Sequence, residues 1–187
     1  MKIKLLTLSL VLISSLSYGQ FFKITTGGFI NEADTSKNFY VMDHTKLTKS
    51  ELYKKSLIYF NGLFASPKDV ISTVQDESIT LNFVERYKIV MGYLWNVNMS
   101  YTFNFKDGKV KVSAPYINKI YNDGLGNISI NVNGRPENYP IYKRNGKGEI
   151  RGSDGLKTKT ILEGKANQFV LSYINDLIGD PIKKDSW

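Results

Sequence analysis

The sequence predicts an α+β fold: one antiparallel sheet with two helices packed on one of its faces, plus a loop-rich insertion before the last helix. Three observations carry this reading. Residues 96–114 alternate apolar and polar side chains on both sides of a tight turn signal. Residues 49–63 and 160–177 repeat apolar side chains at helical spacing. Between the hairpin and the second helix, residues 118–158 are crowded with Gly and Asn turn signals.

The hairpin is the firmest element. Asp107-Gly108 reads as a two-residue type I′ turn, in which both central residues take φ > 0. Before it, Val97, Met99, Tyr101, Phe103 and Phe105 fall on one side of a strand, and Asn96, Asn98, Ser100, Thr102, Asn104 and Lys106 on the other. A two-residue loop pairs Lys106 with Lys109, Phe105 with Val110, Asn104 with Lys111, Phe103 with Val112, Thr102 with Ser113 and Tyr101 with Ala114. Each pair joins like with like, and a slip of one residue would destroy that match, so the register is strongly specified.

The first helix opens on Thr48-Lys49-Ser50-Glu51, a capping box in which Thr48 accepts from the N3 amide and Glu51 reaches back. Its apolar stripe is Leu52, Tyr53, Leu57, Phe60, Leu63 and Phe64, and Pro67 stops it. Residues 39–42 and 70–75 read as short strands, 76–78 as a turn, and 79–88 as a longer strand. Residues 89–95 are interrupted by Gly92. In the insertion, Ile128, Ile130 and Val132 alternate as one strand. The second helix presents Leu162, Ala166, Phe169, Val170, Tyr173 and Leu177, and Gly179 and Pro181 end it.

The chain has 187 residues, 42% of them hydrophobic and 22% charged, which fits a folded domain and not a disordered one. It has no cysteine, which excludes disulfides, Cys-ligated zinc and thiol chemistry. Residues 1–19 read as a secretory signal peptide. Lys2 and Lys4 form the basic start, residues 5–16 an apolar segment too short to span a bilayer, and Ser17-Tyr18-Gly19 a small-residue cleavage site before Gln20. Residues 20–187 form one α+β domain, expected to be periplasmic or extracellular and to contain no transmembrane segment. Loss of Lys2 and Lys4 leaves 23 basic against 17 acidic residues, a net charge of +6 that favours anionic surfaces.

Over residues 47–120 the chain resembles a family of exported bacterial domains, domain of unknown function 4468, described as having a TATA-binding-protein-like fold. The residues that carry the resemblance are Ser50-Glu51-Leu52-Tyr53, Asp69-Val70-Ile71 and Phe105-Lys106-Asp107-Gly108-Lys109. The long insertion departs from that family. The resemblance implies the fold but brings no activity, so no functional residue is carried over from it.

With both helices on the apolar side, the other side of the sheet is open. It would display Thr80, Asn82, Arg86, Asn98, Ser100, Thr102, Asn104, Lys106, Lys109, Lys111 and Ser113, dense in hydrogen-bonding groups and basic charge, with no carboxylate among them. Arg86, Asn98, Thr102, Asn104, Lys106, Lys109 and Lys111 are the candidate ligand-binding residues. An ordinary antiparallel sheet also leaves one polar face to solvent. The expected function is a non-catalytic binding module whose partner is an envelope component, anionic or glycan, with no cofactor, no metal and no nucleic acid. DNA recognition of the TATA type needs aromatic wedges on the open face, whereas the hairpin aromatics face the core.

The alternative is an envelope hydrolase acting on glycan or peptide. His44 beside Asp43 could orient a nucleophile, but no Gly-x-Ser-x-Gly elbow accompanies it. Asp76-Glu77 fits a solvated turn better than a catalytic pair. The run 123–127 lacks the alternating carboxylates of a calcium loop. Tyr116, Tyr121, Tyr139 and Tyr142 bracket the insertion, as a sugar platform or a small satellite core. A cleft holding a carboxylate of shifted pKa near His44 or Glu85 would favour the hydrolase; a flat polar face without one would favour the module.

Overall fold

In the computed structural model the described residues are 20–25, 28–43, 46–89, 92–123, 126–131, 141–144, 147–150 and 153–179, with side chains through Asp123 and over 157–177. The signal-peptide segment, His44, Tyr139 and Pro181 lie outside them. Among the described residues eleven strands and three helices follow in the order β1 (Phe22–Thr25), β2 (Gly28–Asn31), β3 (Phe39–Asp43), α1 (Lys49–Leu63), α2 (Pro67–Val70), β4 (Ile71–Val74), β5 (Ser78–Lys88), β6 (Leu94–Lys106), β7 (Lys109–Ser113), β8 (Tyr116–Asn122), β9 (Gly126–Asn131), β10 (Ile141–Arg144), β11 (Lys147–Ile150) and α3 (Ser153–Gly179).

β1 and β2 form a separate two-stranded sheet, while the other nine strands form one antiparallel sheet. The sheet is built on β6. Along one edge β6 pairs with the whole of β5, from Ser78 opposite Asn104 to Lys88 opposite Leu94. Its other edge is shared. β7 takes the end near the turn, with Phe103 opposite Val112 and Lys106 opposite Lys109. β8 takes the far end, with Ser100 opposite Tyr116 and Asn96 opposite Tyr121.

The expected hairpin register holds for its first four pairs and then stops. Pro115 has no N–H to give to a ladder, and the chain spends one extra residue between Ser113 and Tyr116. On its other edge β7 stays paired, Ser113 lying opposite Phe39 of β3, and the Ala114 amide donates to the Asn38 carbonyl at 2.7 Å. The pairs Thr102–Ser113 and Tyr101–Ala114 are therefore not formed. The turn also differs from type I′. Gly108 has φ of 67°, but Asp107 does not take a positive φ. Asp107 is held by α1: its Oδ1 accepts from the Lys49 amide at 2.8 Å, and the Gly108 amide donates to the Leu47 carbonyl at 2.8 Å.

α1 has the expected bounds, and its capping box is complete. Thr48 Oγ1 accepts from the Glu51 amide at 3.3 Å, and the Thr48 amide donates to Glu51 Oε2 at 2.8 Å. Leu52, Tyr53, Ser56 and Phe60 are buried on it. Leu63 is not part of the buried stripe, being 47% exposed at the last position of the helix. Pro67 ends α1 and then opens α2 at its first position, where a missing N–H costs nothing. This removes Val70 from the expected strand, leaving β4 at Ile71–Val74.

The insertion is more regular than its composition suggests. β9, β10 and β11 add to β8 and extend the sheet. α3 starts at Ser153, earlier than the apolar stripe requires. Within the stripe Leu162, Ala166, Val170, Tyr173 and Leu177 are buried and Phe169 is partly buried.

Both long helices pack on the apolar face of the sheet through aromatic rings. Phe60 of α1 lies 4.7 Å from Phe103 and 5.1 Å from Tyr173 of α3, and Tyr101 lies 4.6 Å from Phe169. Such ring pairs add roughly 0.5–1.5 kcal/mol each beyond the area they bury. Ser56, fully buried, bonds the Leu52 carbonyl and Tyr173 Oη at 2.7 Å each.

Candidate functional site

The register places every polar-face residue in a row that crosses the strands, because directly opposed residues share a face. Starting at the turn, the rows are Lys106–Lys109–Asp43, then Ser78–Asn104–Lys111–Val41, then Ser72–Thr80–Thr102. Beyond them come Asn82–Ser100–Tyr116, Val84–Asn98–Lys119 and Arg86–Asn96–Tyr121. All seven candidate residues therefore share one face of one sheet. None is buried. Asn96 to Lys106 spans ten residues, about 33 Å at ~3.3 Å per residue, so Arg86 and Lys106 cannot meet one small molecule.

The middle rows are tied together by side chains. Thr80 and Thr102 hydroxyls bond at 3.2 Å. Ser100 Oγ donates to Asn82 Oδ1. Asn118 Nδ2 donates to Ser100 Oγ at 2.6 Å and to Asn98 Oδ1 at 3.1 Å. Arg86 Nε donates to Asn96 Oδ1 at 3.0 Å. Side chains linked this way are held in fixed positions before any partner arrives, which lowers the entropy lost on binding.

Asn118 reaches this face through a bulge. β6 advances from Met99 to Asn98 while β8 advances from Ile117 to Lys119, and the extra residue shifts the alternation of β8. Ile117 opposes Met99 and Ile120 opposes Val97, whereas Lys119 and Tyr121 join Tyr116 on the open side. Without the bulge, strict alternation would put Ile120 on the same side as Tyr116. The signal in the sequence is the spacing of Ile117 and Ile120, three residues apart where a regular strand needs an even step.

Two expectations about the face change. It does carry a carboxylate: Asp43 lies opposite Lys109, and the two form an ion pair at 2.9 Å. This offsets the repulsion between Lys106 and Lys109 and gives the Asp43 carboxylate a cationic partner on the sheet. The face also carries aromatics. Tyr116 is 68% exposed, Lys119 Nζ lies 4.6 Å from the Tyr121 ring, and Lys111 Nζ lies 5.6 Å from the Phe39 ring. Tyr116 and Tyr121 thus belong to the open face and not to a satellite core. The exposed apolar residues Val41, Val84 and Leu94 lie there too.

Glu85 lies on the opposite, helix-covered side of the sheet. It lines a cleft of about 480 Å³ with Tyr59, Phe64, Phe83, Tyr101 and Phe169. The side chain is exposed, yet partial desolvation by the cleft walls raises its carboxyl above the ordinary value, and Lys165 acts against that shift. No cluster of three or more His, Asp or Glu side chains suited to a metal ion occurs among the described residues. Among them, no helix is long and apolar enough to cross a membrane. Asp76, at the β4–β5 turn with φ of 57°, accepts from Ser50 Oγ at 3.4 Å.

No protein-family model matches the chain, and no curated protein matches it. Two solved structures are similar to it. One is a DUF4468 family protein from Bacteroides ovatus ATCC 8483, at 11% identity and a TM-score of 0.49, covering 78% of this chain and 87% of that one. The other is a TBP-like protein from Parabacteroides distasonis ATCC 8503, at 10% identity and a TM-score of 0.45, covering 75% of this chain and 88% of that one. The first bears the family name that Ser50–Tyr53 and Phe105–Lys109 resemble, and the second bears the fold name.

Proposed function

We propose that the protein is an exported, non-catalytic binding module that lays an extended envelope component, glycan or anionic, across the open face of its sheet. The observation that carries this reading is the row pattern: hydroxyls, carboxamides, cations and tyrosines recur along about 33 Å of β6 with their side chains already cross-linked. A surface of that length suits a polymer chain or a protein face, with basic groups at both ends and neutral hydrogen-bonding groups between them. Export rests on the basic, apolar and small-residue segments of residues 1–19. Its check is the intact mass of protein recovered outside the cytoplasm, which should start at Gln20.

The test is a pull-down from a cell-envelope extract, comparing the mature chain with a folded Thr102→Ala/Asn104→Ala/Lys111→Ala variant. Recovery of one polysaccharide or acidic component by the first and not by the second supports the face. Equal recovery by both places the binding elsewhere.

A second reading, an envelope hydrolase, is favoured by one observation: the cleft beside Glu85, whose carboxyl is raised. Glycoside cleavage uses two carboxyl groups, and Glu85 is the one carboxylate among the described residues lining that cleft.

A further inference from the structure

We propose that the cleft between β5, β6, the end of α1 and the outer part of α3 is a second ligand site, and that it takes a neutral hydroxylated ring, a pyranose unit of a glycan. It lies on the other side of the sheet from the open face, and the inference does not depend on that face binding anything.

The cleft holds about 480 Å³, within the range of roughly 300–1,000 Å³ typical of small-molecule sites. Its walls are flat rings. Phe83 stacks on Tyr101 at 5.7 Å with 8° between their planes, and Phe169 lies 5.5 Å from Phe83 and 4.6 Å from Tyr101. Phe64 closes one end, 5.2 Å from Phe83. Tyr101 and Tyr87 also line it, and both are buried, at 1% and 8% exposure. Neither hydroxyl has a hydrogen-bond partner among the described residues. An unpartnered buried hydroxyl is costly, so a structure that keeps two of them beside one cavity holds unmet polar demand there.

The chemistry of the lining narrows the occupant. The phenols need partners, and the Glu85 carboxylate accepts. Gln168, Ser172 and Lys165 also line it, whereas the Arg86 guanidinium is turned to the open face and bonded to Asn96. A purely apolar ligand would leave the hydroxyls unpaired. An organic cation would satisfy Glu85 and the rings but would meet Lys165. A sugar ring has an apolar face for stacking and hydroxyls that donate to the carboxylate while accepting from the phenols. It satisfies all of these groups together.

The test is binding of chitobiose, maltose and cellobiose to the mature chain, followed by saturation-transfer NMR and calorimetry, with unfolding temperatures to show that each variant folds. The proposal expects at least one disaccharide to bind at millimolar concentration or below. Glu85→Ala should weaken it roughly tenfold, the effect of losing one charge-assisted bond. Tyr101→Phe, which removes a single oxygen, should weaken it severalfold without lowering stability. Thr102→Ala/Asn104→Ala/Lys111→Ala should bind as well as the parent, which separates this site from the open face. Failure of all three sugars to bind, binding of tetramethylammonium in their place, or sugar binding untouched by Glu85→Ala and Tyr101→Phe would each overturn the proposal.

Discussion

The carboxamide of Asn167 pairs with the main chain of Phe22 in both directions. Its Oδ1 accepts from the Phe22 amide at 2.9 Å and its Nδ2 donates to the Phe22 carbonyl at 2.8 Å. The same Oδ1 accepts from Phe21 at 2.8 Å, and Glu163 Oε1, one turn earlier, accepts from Ile24 at 2.6 Å. α3 thus offers the free edge of β1 what a neighbouring strand would offer, and docks the first strand after the proposed cleavage site. Asn167→Leu keeps a similar volume but leaves these groups unpaired. It should cost about 1–3 kcal/mol, read as a lower denaturant midpoint, with hydrogen exchange speeding first at Phe21 and Phe22. An unchanged exchange rate there would show that β1 is held by its packing alone.

Thr48 and Asp107 serve the same helix end from different parts of the chain. Thr48 takes the Glu51 amide, and Asp107, on the β6–β7 turn, takes the Lys49 amide. Thr48→Ala should cost about 1 kcal/mol. Asp107→Ala should act in the same direction and also loosen the turn, whose Gly108 sits at φ of 67°. A double-mutant cycle should give a coupling above the roughly 0.3–0.5 kcal/mol scatter of independent sites; strict additivity would mean that the two caps act separately.

Asp34 titrates well below its ordinary value, at about 2 against 3.8, through its bond from Lys37 and then those from Ser36. The folded state holds this proton less tightly than the unfolded one, so the carboxylate stabilises above pH 3.8 and that contribution is lost as pH falls toward 2. Asp34→Asn should lower the unfolding temperature by a small constant amount above that window and converge with the parent at its acid end. Parallel curves down to the acid end would contradict the assignment.

Glu85 has the opposite sign. Partial desolvation raises its carboxyl from 4.5, so the folded state binds this proton more tightly, and stability is lost as pH rises through 4.5 toward the folded value. The side chain is exposed to solvent, which keeps the effect small: Glu85→Gln should be slightly more stable than the parent at neutral pH, with the gap closing in acid. A variant less stable at neutral pH would mean that attraction to Lys165 outweighs desolvation.

The elements that could be read from the sequence are those specified by neighbours in the chain. Thr48 and Glu51 lie three residues apart and fix the start of α1; the alternation from Val97 to Phe105 fixes the faces of β6. What escaped depends on distant partners. The φ of Asp107 is set by Lys49, which is far away in sequence. Asp43 enters the open face only because β3 pairs with β7. Tyr116 and Tyr121 share a side only because of the bulge at Asn118. The cleft was the least readable feature, because Glu85 follows the parity of Phe83 and looks like a flaw in a buried strand until α3 brings Lys165 and Phe169 beside it. The insertion shows the same limit: Gly126-Asn127 lies inside β9 and Asp154-Gly155 inside α3, and nothing in those local signals says that β9, β10 and β11 add to one sheet.

The side-chain carboxamide NMR signals of Asn82, Asn98, Asn104 and Asn118 report on the open face, and that of Gln168 reports on the cleft side. Titrating the envelope component recovered by the mature chain into labelled protein tests the central claim most directly. The account predicts that the four Asn signals shift together and saturate at one concentration. Asn signals that stay fixed while the component binds, with or without a shift at Gln168, would contradict it.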